Sequence, residues 1–512
     1  MTTAAGRGST GRGAAARADR DPGHDAPGGG ERAPGIQAPT SGMDAPRGVD
    51  LGFRPEWTGY SSATTTVRPW QRLVERRPGV PALVGSRPGG SRPSVRPRLP
   101  VPVPPRGSAT MSPELRLPPY TLSRAPGAPF DPPAEHTAQY GDQPVGRVSI
   151  WDGRLAVWLV TRYDDARVVL GDRRFSAAHG HPCYPSRFEA EPPRPRVFFS
   201  SQDPPEHGAL RSLVARDFLA RRVTALRPTI QRLADQLLDE MASENPPVDL
   251  VERFAQPLPS LVICDLLGVP YQDHDFFQRA ASTVISLHVP MEEKLRSFEA
   301  LRAFLRDVVN DKRGDPEDDV LSRLAVRVRA GELTAEDAAD LGVFLLNTGH
   351  ETTANMIGLG VAALLDHPDQ IPLVVADDDS TARAVEELLR YLTIIHAGQR
   401  RFATEDVDLG GVTIRAGDGV VVSLPAANRD PSAFPGSPPD RLDVTRRARH
   451  HLAFGHGDHL CLGQQLARAE LRIALRSLFE RFPGLRLATP LERIPFKHDA
   501  QIYGVHALPV RW

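Results

Sequence analysis

A long, almost unbroken apolar run near the middle of the chain most constrains its fold. The run, TAEDAADLGVFLLNTGHETTANMIGLGVAALLD, starts at Thr334 and is followed by His367 and Pro368, which end it. At the rise of an α-helix, about 33 residues extend roughly 50 Å. The sequence therefore predicts one helix that crosses the whole molecule.

The other segments predict a mainly α protein with small β-sheets, an α+β fold. Shorter helices are expected in LADQLLDEM, SLVICDLLGVP, EKLRSFEALRAFLRDVV and RAVEELLRYL. RLAVWLVTRY, from Arg154, alternates like a strand and leads into DDARVVLGD, a short helix closed by Gly171. DVDLGGVTI predicts a hairpin turning at Gly410 and Gly411. The Pro- and Gly-rich stretch from Ala178 to Ser201 is typical of a binding loop.

The first 110 residues differ in composition from the rest. They are rich in Gly, Pro and Arg, with passages such as RPGGSRPSVRPRLPVPVPPRG that bury too little apolar surface to offset the entropy of ordering. We expect residues 1–110 to be disordered and residues 111–512 to form the catalytic domain. The change of composition at Met111 also raises the hypothesis that translation starts there.

Composition excludes several classes of protein. A net charge of −1 argues against a nucleic-acid-binding protein. The chain has neither an apolar stretch of about 18 residues nor the apolar core of a signal peptide, so no membrane association is expected. Three cysteines in 512 residues do not suit a secreted disulfide scaffold, and we expect a cytoplasmic protein.

Cys461 lies in FGHGDHLCLG, directly ahead of the amphipathic run QQLARAELRIALRSLFERF. The free N–H groups at a helix start stabilise a thiolate, and the surrounding glycines let the backbone lie close to a flat group. Cys183 and Cys264 are far away in sequence, so the spacing of a zinc or iron–sulfur site is absent. Taken alone, Cys461 would be interpreted as an inert buried cysteine, the usual state of an isolated cysteine in a cytosolic protein.

Glu351 and Thr352 interrupt the apolar run within TGHETT. An acid buried in mid-helix is costly unless it has a partner or a task. The alternative is a solvated stripe with threonines that bond back to helix carbonyls. Apolar residues on both sides leave little exposed face, which favours a functional interruption.

Together these motifs resemble the cytochrome P450 superfamily, in particular its soluble actinobacterial members. The resemblance runs from about Met111 to Trp512 and includes RYLTIIHAGQRRFATEDVDLGG, AANRDPSAFP and HHLAFGHGDHLCLGQQLARAEL. It implies haem b over which the long helix crosses, with Cys461 as axial ligand in a loop shaped by Phe454, Gly455 and Gly463. Glu351 would feed protons and Thr352 would hold the water network, while Gly349 would allow local widening of the helix. Thr348 departs from the small residue usual at its position.

The resemblance also assigns residues around the haem. The propionate-binding positions correspond to His207, Arg211, Arg401 and His459. Arg401 is chosen over Arg400 because it fits the RxAT spacing of the family. Glu387, Arg390 and Arg441 match a structural triad that ties a helix to the cysteine loop.

The implied activity is monooxygenation of a small organic substrate with O₂, by a monomer that receives electrons from a separate ferredoxin and ferredoxin reductase. Basic residues around the cysteine loop could steer that partner: Arg446, Arg447, Arg449, His450, Arg468 and Arg472. Three alternatives remain: a haem-thiolate peroxygenase or nitric oxide reductase, a non-catalytic haem sensor, and a cysteine hydrolase. Retention of Glu351 and Thr352 argues against the first.

Overall fold

The computed structural model describes residues 117–125, 127–137, 144–150, 153, 155–186, 194–269, 274–285, 289–498 and 500–512. The predicted disordered segment, residues 1–110, and the predicted boundary at Met111 lie outside these ranges. Part of the predicted binding loop, residues 187–193, lies outside them as well.

Helices dominate the described chain, as predicted. In chain order they are α1 (Ala134–Thr137), α2 (Tyr163–Gly171), α3 (Glu206–Ser212), α4 (Ala220–Ala242), α5 (Pro257–Leu267), α6 (His274–Ile285), α7 (Met291–Asp311), α8 (Val320–Arg329), α9 (Ala335–Asp366), α10 (Ile371–Val374), α11 (Asp378–Leu392), α12 (Leu424–Ala427) and α13 (Gln464–Arg481). Short 3₁₀ turns include Phe199–Ser201 in the predicted binding loop and Gly457–His459 just before Cys461.

The strands of the described residues form small sheets. They are β1 (Val145–Ile150), β2 (Leu155–Val160), β3 (Phe175–Ser176), β4 (Val248–Asp249), β5 (Gln399–Ala403), β6 (Val407–Leu409), β7 (Val412–Ile414), β8 (Gly419–Val422), β9 (Arg486–Leu487) and β10 (Pro509–Arg511). One sheet has the order β1-β2-β8-β5-β3, and β2 pairs parallel to β8. β4, β10 and β9 form a second sheet. The predicted hairpin is confirmed as β6 and β7, which pair antiparallel.

Helix α9 confirms the predicted long helix and forms the centre of the core. A capping box starts it: the Thr334 hydroxyl accepts from the Asp337 N–H at 3.0 Å, and the Asp337 carboxylate accepts from the Thr334 N–H at 3.2 Å. Most of its residues are buried, because α5, α7 and α13 pack around it. The helix ends at Asp366, before His367 and Pro368, as predicted. Within the described residues, no helix has both the length and the apolarity needed to span a membrane.

A buried ion pair ties α11 to the segment that leads to Cys461. Arg390 donates through Nε and Nη2 to the two carboxylate oxygens of Glu387, each at 2.7 Å, and both side chains are fully buried. Nη1 of Arg390 also donates to the carbonyls of Asn428 and Pro439, at 2.8 and 2.7 Å. These bonds hold the irregular chain before the cysteine loop against the end of α11.

The third member of this triad is Arg446, and the prediction of Arg441 was wrong. Nε of Arg446 donates to Oε1 of Glu387 at 3.2 Å, and its side chain is buried. Arg441 has an exposed side chain and contributes only its carbonyl, which accepts from Arg390 at 3.3 Å. The turns after Arg441 direct Arg446 inward, an orientation that spacing along the sequence does not reveal.

Candidate functional site

A cavity of about 330 Å³ separates α9 from the loop that carries Cys461. Its volume lies at the lower end of the range for small-molecule pockets. Both motifs singled out in the sequence reach it from opposite walls. The α9 wall includes Phe344, Thr348, Gly349, Thr352 and Thr353, and the loop wall includes Phe454, Gly455, His459, Cys461, Leu462 and Gly463.

The thiol of Cys461 lies against the beginning of α13, as predicted. The backbone N–H groups of Gly463 and Gln464 donate to it, and Arg211 and Arg468 add positive charge. Burial opposes these effects and is the larger influence, so the pKa of the Cys461 thiol is raised above its usual value. A thiolate at this position is therefore favoured when a cation such as a metal ion faces the sulfur.

The backbone of the loop turns tightly to present this sulfur. The N–H of Cys461 donates to the Phe454 carbonyl at 2.9 Å, which closes the loop on itself. Gly455 and Gly457 adopt left-handed conformations, with φ of 75° and 72°. A Cβ on Gly457 would lie 2.6 Å from the Leu170 carbonyl oxygen, so only glycine lets the loop pack against α2.

Four basic side chains converge on the cavity at the positions predicted to bind propionates. His207 and Arg211 come from α3, Arg401 from β5, and His459 from the turn before Cys461. The rings of His207 and His459 lie 4.2 Å apart between centroids. Arg400 points elsewhere, with its guanidinium 5.7 Å from the ring centroid of Tyr184. The structure therefore brings Arg401, rather than Arg400, to the cavity.

Among the described residues, Asp203 and Asp458 act on this basic cluster through their charge, but without direct contact. None of the four forms an ion pair there, and the buried Nε2 of His207 has no hydrogen-bond partner. Burial and the charge of Arg401 lower the pKa of His459 to about 3, and burial also lowers the pKa values of His207 and Arg211. An anion placed against these groups would satisfy them.

The residues present thus fit haem b. A flat group between α9 and the cysteine loop would fill the cavity, meet the Cys461 sulfur on one face and place two propionates beside the basic cluster. Arg211 would act there while its Nη2 donates to the Leu460 carbonyl at 2.8 Å, next to the ligand itself.

The threonines of α9 line the opposite wall and bond back to their own helix. The Thr352 hydroxyl donates to the Thr348 carbonyl at 2.8 Å, and the Thr348 hydroxyl donates to the Phe344 carbonyl at 2.8 Å. Each oxygen keeps lone pairs that can accept from the cavity. Helix α9 is continuous at Gly349, and a Cβ there would approach Ile263 Cδ1 to 3.0 Å. In the structure, this glycine admits α5 rather than widening the helix.

Glu351 occupies a different face of α9 from Thr352. Its Oε1 accepts from Lys497 Nζ at 3.0 Å and from Asn355 Nδ2 at 2.7 Å. Glu351 is largely buried and has partners, so it is not the solvated acid of the alternative interpretation, whereas the threonines do bond back to helix carbonyls as that interpretation predicted. Sequence reasoning missed Lys497, because 146 residues separate it from Glu351.

A second ion-pair network beside the cysteine loop was also missed. Arg468 donates through Nε and Nη2 to Glu386, at 2.7 and 3.0 Å, and its guanidinium lies 4.5 Å from the centroid of the Phe454 ring. His451 Nε2 lies 3.1 Å from the same carboxylate. These contacts lower the pKa of Glu386 to about 2, although burial opposes them. The only sequence signal was an acid directly before Glu387.

Two residues of the predicted basic rim belong to these networks, Arg446 buried and Arg468 half-buried. Arg446 and Arg468 bind Glu387 and Glu386, so neither is available to a partner protein. Arg447, Arg449 and His450 are exposed, and they remain candidates for such a surface.

Comparisons with known proteins agree with this geometry. The family model described as Cytochrome P450 matches residues 380–500. Cytochrome P450-SU2 of Streptomyces griseolus is 48% identical over 405 residues, which cover 78% of this chain and 99% of that protein. Cytochrome P450 GfsF of Streptomyces halstedii is 46% identical over 405 residues, 77% of this chain and 96% of that protein.

Solved structures extend the likeness to the fold. The crystal structure of GfsF is 45% identical, covers 77% of this chain and 100% of that chain, and superposes with a TM-score of 0.72. The crystal structure of MoxA from Nonomuraea recticatena is 46% identical and gives a TM-score of 0.71 over 77% of this chain and 98% of that one. Identity of this level along nearly the whole length of the relatives, together with a cysteine loop and an α9 wall that face one cavity, establishes that the chain belongs to the cytochrome P450 family.

Proposed function

We propose that this chain hydroxylates or epoxidises a small, largely apolar organic substrate, with electrons from a separate ferredoxin and ferredoxin reductase. It is a cytochrome P450 monooxygenase, as its named relatives are, and haem b is its cofactor. The observation that carries the proposal is the cavity itself, because Cys461 stands on one wall and Thr352 on the other.

The residues that would hold haem b are those already facing the cavity. Cys461 would be the axial ligand, and His207, Arg211, Arg401 and His459 would bind the propionates. Bound there, the haem supplies the iron at which O₂ is reduced and activated. The four cations would also fix the orientation of the group, because their side chains reach it from three different elements: α3, β5 and the turn before Cys461.

Thr352 and Glu351 would manage protons for this chemistry. The Thr352 hydroxyl is held by its bond to the Thr348 carbonyl, and it can accept one further hydrogen bond from water in the cavity. Glu351, one residue earlier, would exchange protons with solvent and deliver them toward Thr352. Both steps move a proton between oxygen atoms of the chain and ordered water.

The rest of the wall excludes water and selects the substrate. Apolar side chains surround the space above Cys461, including Phe199, Phe218, Ile263, Phe344, Leu345, Met356 and Ile395. Thr348 and Gln399 are uncharged polar groups on this wall and would bind a hydroxyl or carbonyl of the substrate. Relatives include the pentalenic acid synthase of Streptomyces avermitilis and the vitamin D3 dihydroxylase of Streptomyces griseolus. A largely apolar compound such as vitamin D3 would fit the same kind of wall.

A ferredoxin would dock near Arg447, Arg449 and His450, the exposed basic residues close to the cysteine loop. Their charge would steer an acidic partner and would lose effect at high salt. A cytoplasmic location and a monomeric state complete the proposal, and the three free cysteines are consistent with a reducing compartment.

The test is purification of the haem-loaded protein and the spectrum of its reduced carbon monoxide complex. We expect the Soret band typical of thiolate-ligated haem. Turnover with ferredoxin, reductase and a panel containing vitamin D3 and filipin I should then give a product that carries one oxygen atom from ¹⁸O₂. Filipin I is chosen because a relative, CYP105P1, was crystallised with it. Oxygen uptake without product from any compound would support a sensor. Turnover driven by peroxide alone would support a peroxygenase. Absence of haem from the purified protein would support a cysteine hydrolase.

The role of Thr352 has its own test. Thr352→Ala should still consume reductant but release several times more hydrogen peroxide per electron pair. Thr381→Ala is the control, because the Thr381 hydroxyl likewise bonds to a backbone carbonyl, at 2.7 Å, but lies on α11 outside the cavity. If both variants released the same amount of hydrogen peroxide per electron pair, Thr352 would have no role in the proposed chemistry.

A further inference from the structure

One carboxylate oxygen of Glu351 accepts hydrogen bonds from two side chains. Lys497 Nζ lies 3.0 Å and Asn355 Nδ2 lies 2.7 Å from Oε1. The Glu351 and Lys497 side chains are 13% and 11% exposed, so the ion pair stands at the border between core and solvent. Two charge-assisted bonds at this depth hold the carboxylate in one position.

The fold of the C-terminal segment places Lys497 and Asn355 beside Glu351. The segment from Phe496 to Val505 folds back on itself through an antiparallel bridge between these two residues, and the N–H of Lys497 donates to the Gly504 carbonyl at 2.9 Å. A Cβ on Gly504 would lie 2.0 Å from Asn355 Oδ1. Only glycine at this point lets the C-terminal segment approach Asn355, which stands one helical turn after Glu351.

The bonds from Lys497 and Asn355 hold the Glu351 carboxylate away from the cavity. Thr348, Thr352 and Met356 line the cavity, whereas Glu351 is not among the described residues that do so. Adjacent residues of a helix point about 100° apart, so the carboxylate and the Thr352 hydroxyl face different sides. Because the ion pair holds Glu351 as a carboxylate, Glu351 must take up a proton from solvent and leave Lys497 before it can supply that proton beside Thr352.

We propose that Lys497 is a positioning residue for proton supply: with Asn355 it holds Glu351 on the side of the C-terminal segment, where solvent protons reach it. The proposal rests on the proton-supplying role proposed for Glu351. Each proton that Glu351 gives up beside Thr352 is one that it took from solvent, and the carboxylate then returns to Lys497, so the ion pair is restored after a cycle. Lys497 does not line the cavity, and it acts through Glu351 alone.

A general contribution to stability is the competing explanation, and the chain contains a matched control for it. Lys312 forms an ion pair of similar depth: its side chain is 12% exposed and its Nζ lies 2.8 Å from Asp319 and 2.7 Å from Glu317. This pair follows α7, outside the cavity wall. Lys497→Met and Lys312→Met therefore remove equivalent charges, and only the first affects Glu351.

The experiment compares Lys497→Met, Lys497→Arg, Lys312→Met and Glu351→Gln in the haem-loaded full chain. Thermal unfolding is followed first. Both methionine variants should melt a few degrees lower, because each leaves a carboxylate unpaired. Lys497→Met combined with Glu351→Gln should recover most of the Lys497→Met loss, which shows that the two residues are coupled without any measurement of turnover.

Electron use is then measured with the panel compound, vitamin D3 or filipin I, that shifts the Soret band more. Lys497→Met should raise the peroxide released per electron pair about fivefold and increase the solvent isotope effect on turnover. Lys497→Arg should stay within about twofold of the wild type, because it keeps the charge beside Glu351. Lys312→Met should release as much peroxide per electron pair as the wild type. The dissociation constant of the compound should be the same in all variants.

The possible failures are distinct. Normal electron use in Lys497→Met, with impaired use in Glu351→Gln, overturns the role of Lys497 and leaves the proposed function intact. Equal impairment in Lys312→Met and Lys497→Met reduces Lys497 to a stabilising residue. Normal electron use in Glu351→Gln removes Glu351 from proton supply and this inference with it.

Discussion

Replacing Arg446 by Met tests the corrected triad most directly. The Arg446 side chain donates to Glu387 at 3.2 Å and to the carbonyls of Ser437 and Pro438 at 2.8 and 3.0 Å. Loss of the bond to the buried carboxylate costs about 1.5–3 kcal/mol, and each carbonyl left without its donor adds about 1 kcal/mol. Arg390 and the Asp443 N–H, at 3.1 Å, still bind Glu387 and limit the damage. We therefore expect a loss of about 3–4 kcal/mol in the free energy of unfolding.

Arg441→Met is the matched control, since its exposed side chain should contribute less than about 0.5 kcal/mol. The assay is urea unfolding of the haem-loaded protein, followed by far-UV circular dichroism. The difference in the free energy of unfolding between the two variants is the measured quantity. Equal losses, or a larger loss for Arg441→Met, would refute the assignment of Arg446.

Three further outcomes follow from the site. Cys461→Ala should abolish the Soret band of the reduced carbon monoxide complex, and a retained band would contradict the ligand assignment. Glu386→Gln should lower the free energy of unfolding at pH 7 by about 3 kcal/mol, because the folded-state pKa of Glu386 is about 2 against 4.5 for the unfolded group. The contribution of this depressed pKa is full above pH 4.5 and fades as pH falls toward 2, so urea titrations should show the two proteins converging in acid. Thr348→Ala should enlarge the cavity at α9 and change the ratio of products from the compound that is hydroxylated, as read by mass spectrometry.

The parts of the fold set by local periodicity were predictable from the sequence. Helix α9, the hairpin of β6 and β7, and the helix at Gly171 are confirmed because each depends on residues a few positions apart. The family, the mainly helical fold and haem b are confirmed by the relatives, and they followed from the loop around Cys461.

Contacts between distant segments were not predictable in the same way. Nothing near Arg441 or Arg446 tells which guanidinium turns inward, since the turns after Pro438 decide it. The partner of Glu351 is 146 residues away in an irregular segment. Charge alone also gave a wrong prediction for Arg468. In the sequence it resembles a surface cation on an amphipathic helix, but in the structure its guanidinium binds Glu386.

Glu386 and Glu387 are neighbours on α11, and between them their carboxylates bind residues on both sides of the cysteine loop. Glu387 holds Arg446, which precedes the loop, and Glu386 holds His451 and Arg468, on either side of it. The loop therefore cannot loosen unless the end of α11 loosens too. Haem release should then be a slow, cooperative event with the high activation enthalpy of unfolding, and its rate should rise steeply with temperature instead of following the gentler dependence of a loop motion.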